Sequence, residues 1–275
     1  MVDPKDFVTS GPGALPSRLL AVPSRDEAVE FAWGRTMARA RGVHAFNNLD
    51  PRSRSFNLMR AKLIALWRER NWRMLGVVSA TPDVGKSFVS ANIAAALSRD
   101  PRFQAYLIDL DLRRGAIKDI FGIEIDRGID GLLQDNSTAD TLPAFRPAGE
   151  ELIIIPTASG DISSAELLAS NRARSMLRGM RESDPKNFFI LDLPPVFAND
   201  DAAMTMESLD GYLLIVEDGK TTRQEIDSTI AMLGPEQLAG VVLNKYRGGL
   251  VSEGRGIEEH YASRYYNQDP DEPTD

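Results

Sequence analysis

From residue 74 onward the chain alternates short apolar runs with longer stretches whose apolar residues recur every three or four positions. The runs fall at 74–78, 106–108, 152–155, 188–191, 212–216 and 241–243. Each is rich in Ile, Leu and Val and nearly continuous, as expected of parallel strands buried on both faces. The stretch 88–97 has helical spacing. Those from 163 to 181 and from 222 to 233 open with Ser or Thr and carry Glu three residues on, which predicts capped helices. Alternation of this kind predicts an α/β chain: a mainly parallel sheet, right-handed crossovers and helices on both faces. Ligands bind such a sheet at the carboxyl ends of its strands.

Ahead of residue 74 the pattern changes. Residues 1–23 are rich in Pro, Gly and Ser and read as a flexible leader. Ser24, Arg25, Asp26 and Glu27 have capping-box spacing, predicting a helix that reaches about Ala40. Residues 47–51 read as a loop. Phe56, Met59, Leu63, Leu66 and Trp67 then recur at helical spacing and predict an amphipathic helix leading into the first strand. The expected organisation is an N-terminal extension over 1–50, partly disordered and with one helix, one domain over 51–266, and an acidic disordered tail over 267–275.

Composition narrows the classes. The absence of Cys excludes disulfides and thiol chemistry and fits a reducing cytoplasm. No apolar run approaches the roughly 18 residues of a membrane span. The polar opening MVDPKDFVTSGPGALPS lacks the apolar core of a secretion signal, so the chain is expected to stay where it is made. Residues 1–75 carry a net charge of +6, leaving −14 for the remainder. A body that acidic argues against nucleic acid as a partner.

The chemistry starts at Ala80-Thr81-Pro82-Asp83-Val84-Gly85-Lys86-Ser87, between the first strand and the helix that begins near Phe88. Strand, tight loop, Gly-Lys-Ser and helix together form the context of a phosphate-binding loop, the mark of a P-loop NTPase. Backbone N–H groups at the helix start, aided by the helix dipole, suit an anion. Lys86 suits the β- and γ-phosphates and the Ser87 hydroxyl suits Mg²⁺. The motif's first Gly is replaced by Ala80, which requires a negative φ there. Asp109 and Asp111 follow the strand at 106–108; at alternate positions, both can face one site. Asp192 ends the strand at 188–191 and is followed by two Pro that stop it. A carboxylate buried there needs a metal or the loop lysine. Asn244 closes the last strand, and its amide suits a purine edge.

The segments ATPDVGKSFVSANIAAAL, YLIDLDLRRG and FFILDLPPVFANDDA, supported by SSAELLAS, DGYLLIVEDGKTTRQEI and GVVLNK, resemble the bacterial tyrosine kinases of capsule and exopolysaccharide biosynthesis. This is the CpsD/CapB type, related to the MinD/ParA ATPases. The likeness runs from about residue 53 to about 247. It implies ATP and Mg²⁺ as cofactors, with residues 81–88 (Thr81 to Phe88) and Asn244 around the nucleotide. Lys86, Asp109 and Asp111 become the catalytic residues, and Ser87, Asp109 and Asp192 the metal ligands. Asp201 matches the family's Asp after the Pro pair. Tyr261, Tyr265 and Tyr266 become phospho-acceptors, although the family's cluster is denser. The family's Glu-x-x-Arg-x-x-Arg of self-association falls on Arg54, Asn57 and Arg60, so only Arg60 matches. Ala80-Thr81-Pro82 stands where DNA-partitioning relatives carry Lys-Gly-Gly, favouring the kinase branch. The implied function is tyrosine (auto)phosphorylation controlling polymer assembly and export. The implied partners are a membrane-embedded polysaccharide co-polymerase as adaptor, further copies of the chain and an opposing tyrosine phosphatase. The implied place is the cytoplasmic side of the inner membrane. The alternative is a MinD/ParA-like assembly or positioning ATPase, switched by nucleotide and without kinase activity.

Overall fold

All six apolar runs fold as strands within a few residues of the expected limits, and two further strands join them at one edge. The computed structural model describes residues 19–134, 140–158, 164–198 and 201–246. The expectations for residues 1–18, the tail over 267–275, Tyr261, Tyr265 and Tyr266 lie outside these. In chain order the strands are β1 (Val29–Phe31), β2 (Met74–Ser79), β3 (Gln104–Asp109), β4 (Phe145–Pro147), β5 (Leu152–Ile155), β6 (Asn187–Asp192), β7 (Gly211–Glu217) and β8 (Leu238–Asn244). The helices are α1 (Arg35–Ala40), α2 (Arg54–Arg70), α3 (Lys86–Ser98), α4 (Ile117–Phe121), α5 (Ile129–Leu133), α6 (Ser164–Leu168), α7 (Asn171–Glu182), α8 (Asp201–Met206) and α9 (Arg223–Leu233). The sheet runs β1-β4-β5-β3-β6-β2-β7-β8, parallel throughout except between β4 and β5.

Strand pleating sorts the core into two layers. Leu75, Val77, Ala105, Leu107, Phe188, Ile190, Leu213 and Ile215 face α2 and α3. Met74, Val78, Tyr106, Ile108, Phe189, Leu191, Leu214 and Val216 face the layer of α5 to α9. From β2 the chain crosses through α3 over β6 to β3. From β6 it crosses through α8 the other way, over β2 to β7. Crossovers in opposite directions set α3 and α8 on opposite faces. The strand order therefore reverses at the carboxyl ends of β2 and β6, the kind of switch point at which such sheets bind ligands.

Three local expectations are corrected. The capping box at Ser24 forms, with Ser24 N donating to Glu27 Oε2 at 2.7 Å. It closes only one 3₁₀ turn, however, because Val29–Phe31 is drawn into parallel pairing with Phe145–Pro147. Part of the expected extension is thus a strand of the same sheet. The helix expected from 163 to 181 is broken at Ser170, whose extended backbone and hydroxyl, accepting from Ala173 N at 3.1 Å, start α7 afresh. Lastly, β8 is not buried on both faces. It closes the sheet as an edge, with Val241 and Leu243 about half exposed.

The amphipathic helix before β2 is as expected. α2 buries Phe56, Leu63 and Ile64 against α3, and Trp67 meets Phe103 edge-on at 4.8 Å.

Candidate functional site

The tips of β2, β6 and β3 meet because these strands are neighbours in the sheet. β2 ends at Ser79, the loop spans 80–85, and α3 starts at Lys86. Gly85 has φ 92°, a conformation that favours glycine, and a Cβ there would lie 2.3 Å from Asn244 Nδ2 and push that side chain aside. No side chain caps α3, leaving its first N–H groups to an anion. Ala80 raises no conformational problem: in this loop the left-handed residues are Asp83 and Gly85.

Lys86 is only 7% exposed, and its Nζ lies 3.8 Å from Asp111 Oδ2. Asp109 and Asp192 are partners in the β3–β6 register. By parity with Leu107 and Ile190, both side chains project toward the α3 layer. Asp109 accepts from Asp111 N at 3.2 Å and from Ile117 N at 3.1 Å, so it shapes the turn between β3 and α4. Asp192 accepts from the Ser90 hydroxyl at 3.0 Å through Oδ1, while Oδ2 is buried without a hydrogen-bond partner. Burial first, then the charge of Asp192, raises the Asp109 carboxyl well above its usual range. Burial pushes Asp192 up to about 6 against the opposing effects of Lys86, Ser87 and Ser90.

An orphaned, buried carboxylate oxygen next to the Ser87 hydroxyl is where a small hard cation fits. Among the described residues no three or more His, Cys, Asp or Glu form a metal cage.

The other expected residues surround this centre. Thr81 is half-buried, Pro82 and Asp83 are exposed, and Val84 is buried in the α2–α3 layer, so Val84 serves the loop through its backbone and packing. Phe88 points outward, 37% exposed, and meets Phe56 edge-on at 5.9 Å. Asn244 reaches the loop, donating from Nδ2 to Val84 O at 2.7 Å. Asp201 opens α8, beyond the Pro pair. Of the positions matched to self-association, Arg54 is exposed, whereas Asn57 Oδ1 accepts from Arg99 Nη1 at 2.8 Å within its own chain.

Two contributors were not anticipated. Ser90 holds Asp192. Buried Asn92 accepts from His44 N and Ala45 N at 2.8 and 3.2 Å and donates to the Gly42 and Phe88 carbonyls at 3.0 Å, lashing the 42–45 segment to α3. Their signal was present: polar residues within an otherwise apolar helix, with Ser90 three positions after Ser87 and on the same face.

The family model of the CobQ/CobB/MinD/ParA nucleotide binding domain matches residues 75–267. The chain is similar to the tyrosine-protein kinase ptk of Acinetobacter johnsonii, 29% identical over 201 residues that cover 73% of this chain and 26% of that protein. It is also similar to the tyrosine-protein kinase YwqD of Bacillus subtilis, 28% identical over 200 residues, or 72% of this chain and 79% of that one. Among solved structures, the kinase domain of the Escherichia coli tyrosine kinase ETK matches with a TM-score of 0.66 at 25% identity, over 76% of this chain and 82% of that domain. The chain spans about a quarter to a third of the length of the first of these curated relatives, whose matched shares are 26%, 32% and 27%.

Proposed function

The chain belongs to the CobQ/CobB/MinD/ParA nucleotide-binding domain family, and from that premise we propose that it is an ATP- and Mg²⁺-dependent protein-tyrosine kinase of exopolysaccharide or capsule assembly. One observation carries the reading. Lys86, Asp111 and the orphaned carboxylate of Asp192 converge beside an uncapped helix start at a sheet's switch point. Similarity to proteins named tyrosine kinases supports this chemistry among those a phosphate loop can serve.

The α3 N–H groups and Lys86 hold and neutralise the β- and γ-phosphates. Ser87 and Asp192 would hold a magnesium ion, which would screen charge on the phosphates. Asp109, with both oxygens engaged by backbone amides, fixes the turn that presents Asp111. Asp111 takes the proton from the acceptor phenol. Catalysis is then mainly positioning and charge neutralisation. Asn244 borders the adenine, and Tyr261, Tyr265 and Tyr266 of a neighbouring copy are the acceptors. Each phosphorylation adds roughly −1.5 to −2 charges to an acidic segment, which loosens contacts between copies. The adaptor is a membrane-embedded polysaccharide co-polymerase that holds the chain at the cytoplasmic face of the inner membrane, and a tyrosine phosphatase opposes the reaction. Among the described residues, no helix is long and apolar enough to cross a membrane.

The test is a phosphotyrosine blot with mass spectrometry on the full chain co-expressed with the adaptor. Wild type is expected to carry phosphate on the three tyrosines and Lys86→Ala none. The triple Tyr→Phe variant is expected to lose the signal yet bind ATP. Equal phosphorylation of wild type and Lys86→Ala overturns the reading. The inward engagement of Asn57 favours a second one, a positioning ATPase with altered self-association. ATP-dependent assembly without any phosphotyrosine would select it.

A further inference from the structure

A phosphate loop poses a backbone problem. In a planar trans peptide the C=O and N–H point in opposite directions, so an N–H turned inward to an anion turns the preceding carbonyl outward. Each outward carbonyl then needs a donor. Four carbonyls of this loop have one. Ala80 O accepts from Phe197 N at 3.2 Å and Thr81 O from Ser79 Oγ at 2.7 Å. Val84 O accepts from Asn244 Nδ2 at 2.7 Å, and Asp83 O accepts from Lys245 Nζ.

The first two donors belong to β2 and the segment after β6. The last two come from the end of the edge strand β8, 160 and 162 residues further along the chain. Their contact is conformationally unusual on both sides. Asp83 has φ 63° and Lys245 has φ 56°, a region that non-glycine residues occupy only where their surroundings hold them. The Lys245 ammonium also lies 3.2 Å from Glu217 Oε2 at the end of β7, and so spans from sheet edge to loop.

We propose that Lys245 is a positioning residue for the phosphate nest. By holding the Asp83 carbonyl outward it turns the Val84 N–H inward before any ligand arrives, as Asn244 does for Gly85 N–H through the Val84 carbonyl. This rests on the nucleotide-binding reading of the site and adds that the nest is set from the far edge of the sheet. Lys245 acts on the phosphates through the backbone.

The experiment uses the full chain with ADP and with inorganic pyrophosphate, each titrated calorimetrically, and hydrogen exchange of the ligand-free protein. Lys245→Ala is expected to weaken both ligands by the same factor, about 10-fold for a charge-assisted bond to a loop carbonyl. It should also speed exchange at the Val84 and Gly85 amides beyond any small drop in melting temperature, and Lys245→Arg should restore much of each effect. Unaltered exchange at those amides, with a loss of affinity that disappears in high salt, means direct charge on the phosphate and overturns the proposal. Unchanged or tighter binding by Lys245→Ala overturns it as well. A wild type that binds neither ligand sinks the nucleotide reading and this proposal together, whereas normal wild-type binding with an unaffected variant sinks only the proposal.

Discussion

Asp109 at the tip of β3 and Asp192 at the tip of β6 are the same residue type, paired in register and fully buried, yet their surroundings differ. Asp109 spends both oxygens on backbone amides of the turn that follows it. Asp192 spends one oxygen on Ser90 and leaves the other without a partner. A buried acceptor with no donor is costly to the free chain, and such a group persists where a ligand uses it. On the proposed reading, the difference separates a carboxylate that builds the site from one that serves it, which identity and spacing alone do not.

Lys86→Ala removes the cation that faces Asp111 and lowers the Asp192 carboxyl. It should cost about 100-fold or more in phosphotransfer, the scale of losing a preorganised charge partner. Single-turnover phosphorylation with labelled ATP measures this.

Asp192→Asn should come next, with opposite signs for function and stability. Magnesium-dependent tightening of ADP should vanish in calorimetry, and turnover should fall by about 100-fold. The ligand-free protein should instead melt a few degrees higher at neutral pH. Burial raises the folded-state carboxyl from 3.8 to about 6. The folded chain therefore binds the proton more tightly than the unfolded one, and stability falls as pH rises across that window. The benefit of Asn should be full above pH 6 and absent near pH 4.

Asp109→Asn has two opposed effects. Its amide offers one acceptor where two N–H groups each need one, costing about 1–3 kcal/mol, while it also relieves the burial that raises this carboxyl well above its usual range. Its gain in melting temperature at neutral pH should therefore be smaller than that of Asp192→Asn; if Asp109→Asn gains as much or more, the contrast between the two tips is wrong.

The smallest effect comes from a carboxyl outside the site. Burial, then the neighbouring Glu151, raises Glu150 from 4.5 to about 7 against the pull of Arg99. Its contribution is again lost as pH rises through that window. Glu150→Gln should slightly raise melting at pH 8 and leave it unchanged at pH 4, with nucleotide affinity untouched at both.

Legibility followed the same division between centre and edge. The runs that became β2, β3, β5, β6 and β7 are buried on both faces, so hydropathy alone marked them. β1 and β4 are three-residue, partly exposed strands reading Val-Glu-Phe and Phe-Arg-Pro, without an apolar run to reveal them. The capping boxes at Ser24 and Thr222 were both correctly spaced. One starts the eleven-residue α9 and the other a single turn, because pairing of Val29–Phe31 with β4 overrode local propensity.

By itself the sequence determined the alternation of strands and helices, the phosphate loop, and the carboxylates available at the strand tips. These depend on periodicity and residue chemistry within a few positions of one another. Only the tertiary structure decided that β6 lies between β3 and β2, that Asp192 meets Ser90 and keeps a bare oxygen, and that Lys245 reaches the loop. The Ser90–Asp192 and Asp83–Lys245 contacts join groups 102 and 162 residues apart. At such separations the contacts follow from how strands order and helices pack, and no local pattern in the chain encodes that.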